Sequence, residues 1–231
     1  MTSAELLTTR EKRRLTALRK RLLAWYAENA RQFPWRHNDA PVYEQICVEV
    51  LLQRTRAPTV GKVYPDFFSQ YPSWSAIESA ETEELEKVLK PLGIWRRRAT
   101  ALKGLAAYAH KHGGKFPATR TALLEIPAIG QYVANAILLF QHGEPRPLLD
   151  GNMARVLERY LRPRKLADIR YDPWLQDAAN WLVRSRPTAV ETNWATLDLA
   201  ATVCLPSNPK CQECPAKELC NFALRAEVAG P

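Results

Sequence analysis

The sequence predicts an all-α protein of two helical lobes, and three observations carry that prediction. Apolar residues recur at helical spacing through most of the 231 residues. Alternating β-branched runs are nearly absent. Glycine is scarce, nine in all, so the breaks between helices fall at a few marked places. Composition is that of a globular chain, 46% hydrophobic and 25% charged, with ample length for a core. No apolar run approaches the roughly 20 residues of a membrane span, and residues 1–21 are charged without the apolar core of a signal peptide. A cytoplasmic, nucleoid-associated location is expected.

Taken in order, residues 4–30 read as one amphipathic helix with Leu15, Leu18, Leu22, Leu23 and Trp25 among its apolar positions. The run Gln32-Phe-Pro-Trp-Arg36 breaks it. A helix follows from about Val42 to Arg54, with Ile46, Val50 and Leu51 in phase. Pro58 suits the first turn of the next helix, which passes Val63 and Phe68. One helix is expected from Ser73 through an acidic stretch to Leu89, then a turn at Pro91-Leu-Gly93 and a helix over Arg96–His110 that Gly113-Gly114 ends. A short helix to about Glu125, a tight turn and a helix from about Gln131 to Gln141 complete the first lobe. The run 143–149, rich in proline, is where the chain passes to the second lobe. There Asp150 can cap a helix through Tyr160, followed by helices near Trp174–Arg184 and Trp194–Thr202, about ten helices in all.

The turn is Leu124-Glu-Ile-Pro-Ala-Ile-Gly130, with Gln131 opening the next helix. Pro127 cannot continue the first helix, and Gly130 is able to take backbone conformations closed to other residues. The start of the second helix then points unpaired N–H groups outward, which suits a phosphate, although a buried structural turn is the ordinary alternative. Charge points the same way. The net charge is +9, and basic residues cluster at 10–21, at Arg96, Arg97 and Arg98, and at Arg162, Arg164 and Lys165. This raises the expectation of a nucleic-acid partner, while any one cluster taken alone reads equally as a solvated helix face.

Cys204, Cys211, Cys214 and Cys220 lie within 17 residues, whereas Cys47 stands alone in an apolar helix as a core residue. One Cys-x2-Cys knuckle with two wider arms favours a 4Fe–4S cluster over zinc, which more often uses two knuckles. A site closed by four thiolates has no position open for a substrate. Lys210 on the first arm is either a phosphate contact or a solvated lysine. Two carboxylates complete the set. Glu49 sits between Val48 and Val50, where apolar surroundings should raise its pKa and suit it to general-acid work, an exposed glutamate being the alternative. Asp150 reads as an N-cap that the helix dipole helps keep ionised. An acid, an ionised carboxylate and a phosphate grip suit release of a nucleobase, which leaves positive charge on the sugar.

Together, Ile126-Pro-Ala-Ile-Gly130, Leu149-Asp-Gly-Asn152 and the four cysteines resemble the helix-hairpin-helix (HhH-GPD) DNA glycosylases of the endonuclease III superfamily. The resemblance runs from Pro34-Trp-Arg36 to Cys220. It implies a six-helix barrel-like domain with the helix-hairpin-helix over residues 40–145, and a helical iron–sulfur cluster domain from 1–39 plus 146–231. Val48-Glu-Val-Leu-Leu-Gln-Arg-Thr55 is similar to the catalytic segment of MutY-type adenine and archaeal thymine–guanine mismatch glycosylases. By that resemblance Glu49 is the acid, Asp150 the carboxylate at the anomeric carbon, and Tyr132 and Asn152 their supports. Gln53 is the wedge that replaces the flipped base. Arg54, Ile94, Trp95, Ile126, Ala128, Gly130, Gln131 and Lys210 are the further DNA contacts, and the cofactor is a 4Fe–4S cluster. Tyr132 stands where bifunctional relatives carry a lysine nucleophile, which implies base removal without strand cleavage.

Within that resemblance the chain departs from the adenine enzymes. It ends at Pro231, leaving no room for their 8-oxoguanine-recognising domain. Their glutamine doublet is Gln53-Arg54 here, their Gly-Leu-Gly-Tyr-Tyr loop is Pro91-Leu-Gly-Ile-Trp95, and Ala128 replaces a hairpin glycine, a change that backbone geometry tolerates at negative φ. Removal of thymine or uracil opposite guanine is therefore the expected activity, on double-stranded DNA and as a monomer. Removal of adenine opposite 8-oxoguanine or guanine is the alternative, and Asp150-Gly-Asn152 favours it. A damage-binding scaffold without turnover is the second alternative.

Overall fold

The structure is a computed structural model that describes residues 6–37 and 39–229. Among those residues it contains twelve α-helices and no strand. Residues 4 and 5 of the first expected helix lie outside the described range. Among the described residues no helix is long and apolar enough to cross a membrane. The chain divides into two compact units, one of residues 1–31 with 144–231 and one of residues 32–143.

The discontinuous unit is built on α1 (Thr9–Asn29), α9 (Gly151–Tyr160), α10 (Pro173–Val183), α11 (Ala189–Thr202) and α12 (Asn221–Ala229). Helix α1 starts with a capping box: Glu11 N–H donates to the Thr8 hydroxyl, and Thr8 N–H donates to the Glu11 carboxylate at 2.8 Å. Its Leu15, Leu18 and Leu22 form one fully buried stripe facing α10 and α11, each contributing about 1.5–3 kcal/mol by burial. Asp172 caps α10 and is itself buried. Burial alone would raise its carboxyl, but N–H groups of Leu166, Leu175 and Lys165 hold it below the ordinary range.

The continuous unit runs α2 (Val42–Leu51), α3 (Ala57–Gln70), α4 (Trp74–Ser79), α5 (Thr82–Leu89), α6 (Trp95–Lys111), α7 (Arg120–Leu124) and α8 (Gln131–Phe140). Helix α2 is its central element. Six successive residues, Ile46 to Leu51, are buried, and the helix packs on α6 and α8.

The first helix starts at Thr9 rather than at residue 4, Leu6 to Thr8 being non-helical, and three further elements differ from the sequence expectation. The helix expected from 73 to 89 is two, because Ala80 and Glu81 are extended. Lys103 of α6 donates to the Glu78 and Ala80 carbonyls and so satisfies the end of α4. Helix α2 stops at Leu51 rather than 54, since Arg54 has φ 56° and cannot continue a right-handed helix. Helix α12 was not expected at all, its short apolar pattern lying directly after Cys220.

Candidate active site

In the continuous unit, α2 and α8 bring Glu49 and Tyr132 together. The Tyr132 hydroxyl donates to Glu49 Oε2 at 2.6 Å. Glu49 is 3% exposed, so the alternative of a surface glutamate does not hold. A carboxylate taken this far from water requires hydrogen-bonding partners, and the phenol is one. Tyr132 reaches it because it lies in the first turn of α8, immediately after the tight turn.

That turn differs from expectation in a specific way. Gly130 has φ −92° and ψ 175°, an ordinary extended conformation, and a Cβ added there would meet nothing within 4 Å. The left-handed residue is Ala128, at φ 70°. The alanine is thus held in a conformation that costs it about 1–2 kcal/mol. Packing explains why the turn does not relax: a Cβ on Gly104 of α6 would lie 3.3 Å from both Ala128 Cβ and the Pro127 carbonyl oxygen. Ile126 and Ile129 are buried and pin the turn to the core, so the Ile126 side chain is an anchor rather than a surface contact. Pro127, Ala128 and Gly130 are exposed, and no side chain caps α8.

Two further loops of this unit carry expected contacts. Gln53 and Arg54 lie in the turn after α2, with Gln53 half-buried and Arg54 exposed. Ile94, at φ 42°, is 36% exposed at the start of α6, and Trp95 is half-buried with the Arg96 guanidinium 5.2 Å from its ring centroid. Arg96 and Arg97 are exposed. Arg98, grouped with them in the sequence, is 1% exposed and donates to backbone carbonyls of the protein, so it does not form part of a basic surface.

In the discontinuous unit, Asp150 caps α9. Its Oδ1 accepts from the N–H groups of Asn152 and Met153, both at 2.9 Å, and its Oδ2 accepts from the Asn152 side chain at 2.6 Å. The carboxyl is half-buried, and the crowding raises its pKa above the ordinary value against the pull of those hydrogen bonds. The helix start therefore offsets the burial only in part. Two arginines that sequence reasoning missed extend the arrangement. Arg155 donates to Asn152 Oδ1 at 3.2 Å, to the Ala200 carbonyl and to the Cys204 carbonyl at 2.9 Å. Arg159, one turn on, donates to the carbonyls of Leu205 and Pro206 and lies 3.5 Å from Cys204 Sγ. Their spacing of four along one helix was the available signal.

Cys204, Cys211, Cys214 and Cys220 line one cavity with Arg159 and Phe222, and none is in a disulfide. Burial, with a smaller contribution from the neighbouring sulfurs, pushes the Cys214 thiol up to about 11. Among the described residues no three His, Cys, Asp or Glu side chains converge on a point that fits a single ion. Lys210 pairs with Glu213 at 3.4 Å on the surface, and such a pair is weak. Cys47 is fully buried in the other unit, as a core residue.

Residues 47–170 match the HhH-GPD superfamily of base excision DNA repair proteins. A thymine-DNA glycosylase of Aeropyrum pernix is 37% identical over 92% of this chain and 96% of its own. The human adenine DNA glycosylase is 33% identical over 92% of this chain and 40% of its own. The solved structure of a thermostable thymine-DNA glycosylase superposes with a TM-score of 0.82 at 29% identity, covering 93% of this chain and 98% of that one. By the extent of these matches in sequence and fold, the chain belongs to the HhH-GPD superfamily of base excision DNA repair proteins.

Proposed function

We propose that the protein is a monofunctional DNA glycosylase that extrudes a mispaired base from double-stranded DNA and excises it, thymine or uracil opposite guanine being the substrate. The observation that carries this reading is the buried Glu49 carboxyl held by the Tyr132 hydroxyl. An acid shielded from water can keep a proton for the departing base. The phenol supplies no amine to attack the sugar, so water is the final nucleophile. The glycosidic C–N bond breaks, the base leaves with the proton from Glu49, and water adds to the anomeric carbon. The proton that water sheds restores the acid. Asp150 is the group that stabilises the positive charge on the sugar, and a carboxylate with a lifted pKa gains most when such a charge forms beside it. Asn152 holds one of its oxygens.

The exposed Ala128 and Gly130, with the half-buried Gln131, are suited to gripping a phosphate at the start of α8, and the bare Gly130 leaves room for its approach. Gln53 and Ile94 are the side chains that fill the gap left by the base, with Arg54 and Trp95 beside them. Lys210 exchanges Glu213 for phosphate. The four cysteines hold a 4Fe–4S cluster. A single ion would draw its sulfurs to about 2.3 Å from one point, whereas here four free thiols border a shared cavity. Such a cluster, when bound, cross-links the loop. The protein acts as a monomer, in the cytoplasm and on the nucleoid.

Preference for thymine or uracil rests on Ile94 in the second loop and on the extent of the match to the Aeropyrum relative. Adenine removal is the second reading, supported by Asp150-Gly-Asn152 and by the human adenine DNA glycosylase. Duplexes bearing T·G, U·G, A·G and A opposite 8-oxoguanine, treated with alkali after incubation, test it. Release from T·G and U·G is expected. Release only from A opposite 8-oxoguanine overturns the substrate, and tight binding without release from any duplex returns the scaffold reading.

A further inference from the structure

Arg98 is among the largest fully buried side chains of the described residues, yet it carries a charge. Its acceptors are not carboxylates. Nε donates to the Gly93 carbonyl at 2.9 Å. Nη1 donates to those of Val50 and Leu51, at 3.0 and 2.5 Å. Nη2 donates to the carbonyls of Gln53 and Leu92 and to the Thr55 hydroxyl, at 2.6, 3.1 and 2.6 Å. The Thr55 hydroxyl in turn donates to the Leu92 carbonyl at 2.8 Å.

These acceptors come from two loops far apart in sequence. One is the turn that ends α2, four residues after Glu49, and holds Gln53 and Arg54. The other leads into α6 and holds Ile94. Each contains one non-glycine residue in the left-handed region, Arg54 at φ 56° and Ile94 at φ 42°. A β-branched residue there is strained and stays only if its surroundings enforce it. The C-terminal carbonyls of α2 also form the negative end of a helix, where a cation is favoured. A guanidinium satisfies this geometry because it has five N–H donors in a fixed fork, whereas an ammonium has three and no fork.

We propose that Arg98 is a positioning residue that fastens the 52–55 and 92–94 loops into one rigid, preassembled wedge, so that Gln53 and Ile94 enter DNA together when the base is extruded. The inference rests on the reading of Gln53 and Ile94 as wedge residues. Arg98 touches neither the base nor the sugar. Its contribution lies in the extrusion step rather than in bond cleavage.

The test compares Arg98→Lys with wild type on thymine opposite guanine and on the same thymine opposite an abasic site, where no pair has to be broken and extrusion costs little. Release is measured under single-turnover conditions at saturating enzyme, and extrusion by the fluorescence of 2-aminopurine placed beside the thymine. Arg98→Lys is expected to slow release from the mismatch by about tenfold or more, with a matching loss of fluorescence gain, and to stay near wild type opposite the abasic site. Equal slowing on both substrates would show a structural role only and overturn the proposal, as would wild-type rates on both. If Arg98→Lys does not fold, Thr55→Val, which removes the bridging hydroxyl, decides on the same comparison with a smaller expected ratio. If wild type releases no base, the proposed activity fails, while the fluorescence arm still judges the wedge.

Discussion

In the continuous unit the loops proposed to meet DNA stand on strained backbone, whereas Asp150 and the cysteine loop of the discontinuous unit stand on relaxed backbone held by side chains. Arg54, Ile94 and Ala128 all have positive φ, and all lie in the 32–143 unit in segments proposed to meet DNA. In the other unit the one described non-glycine residue at positive φ is Asn208, a residue that accepts that region readily. There, Asp150 and the cysteine loop are held by ordinary capping geometry and by Arg155 and Arg159. Strain suits loops that must present a side chain in one fixed direction. A carboxylate that answers a developing charge needs fixed hydrogen bonds instead, because its work is electrostatic.

The comparison breaks most visibly at the two carboxylates. Glu49→Gln and Asp150→Asn are each expected to slow base release by about 10²–10⁴-fold in single-turnover assays while leaving duplex binding largely intact. Full activity in either variant would remove that residue from its role. The two variants should part in stability. A folded-state pKa raised above the unfolded one means that the native state binds the proton more tightly, so this group's contribution to stability falls as pH rises from the ordinary carboxylate range through the raised value. Asparagine caps a helix as well as aspartate does. Asp150→Asn should therefore be at least as stable as wild type at neutral pH, read by thermal melting. Release by the wild type should in turn have an acid limb lying above the ordinary carboxylate range.

Loss of a thiolate tests the cohesion of the discontinuous unit. Cys214→Ser is expected to lower iron and sulfide per chain and to destabilise the protein by more than about 3 kcal/mol, measured by denaturant titration. Wild-type stability with full iron would place the cofactor elsewhere. A smaller effect of opposite sign is expected in the strained unit. Ala128→Gly should stabilise it by about 1 kcal/mol, because glycine takes φ 70° without the methyl clash. A loss of stability would mean that the alanine methyl packs better than its strain costs. The smallest effect belongs to Asp172, whose folded pKa is depressed. Its contribution is present above the ordinary carboxylate range and is lost as pH falls through the depressed value, and Asp172→Asn should flatten that part of the acid melting curve.

Much of this was legible in sequence, for local reasons. Pro127 and Gly130 marked the turn, Asp150 announced a cap, and Glu49 among valines announced a buried acid. The tight spacing of the cysteines announced one shared site. What was not legible lay in contacts between distant segments. Arg98 looked like one member of a basic run until its fork was seen on carbonyls 45 to 48 residues away. The break between α4 and α5 depends on Lys103. Gly130 drew attention as the conformationally special residue, yet Ala128 holds the left-handed position, because close packing of the turn on Gly104 outweighs the local preference of alanine.

By itself the sequence determined the all-α class, the order of most helices, the turn and which side chains are candidates for the chemistry. These follow from side-chain periodicity, capping and donor chemistry, each of which acts within a few residues. Only the tertiary structure decided that Tyr132 meets Glu49, that Arg98 is buried rather than exposed, and which residue of the turn bears the strain. Those outcomes depend on burial and on hydrogen bonds between segments distant in the chain, and on packing dense enough to impose a backbone conformation that the local residue would not choose.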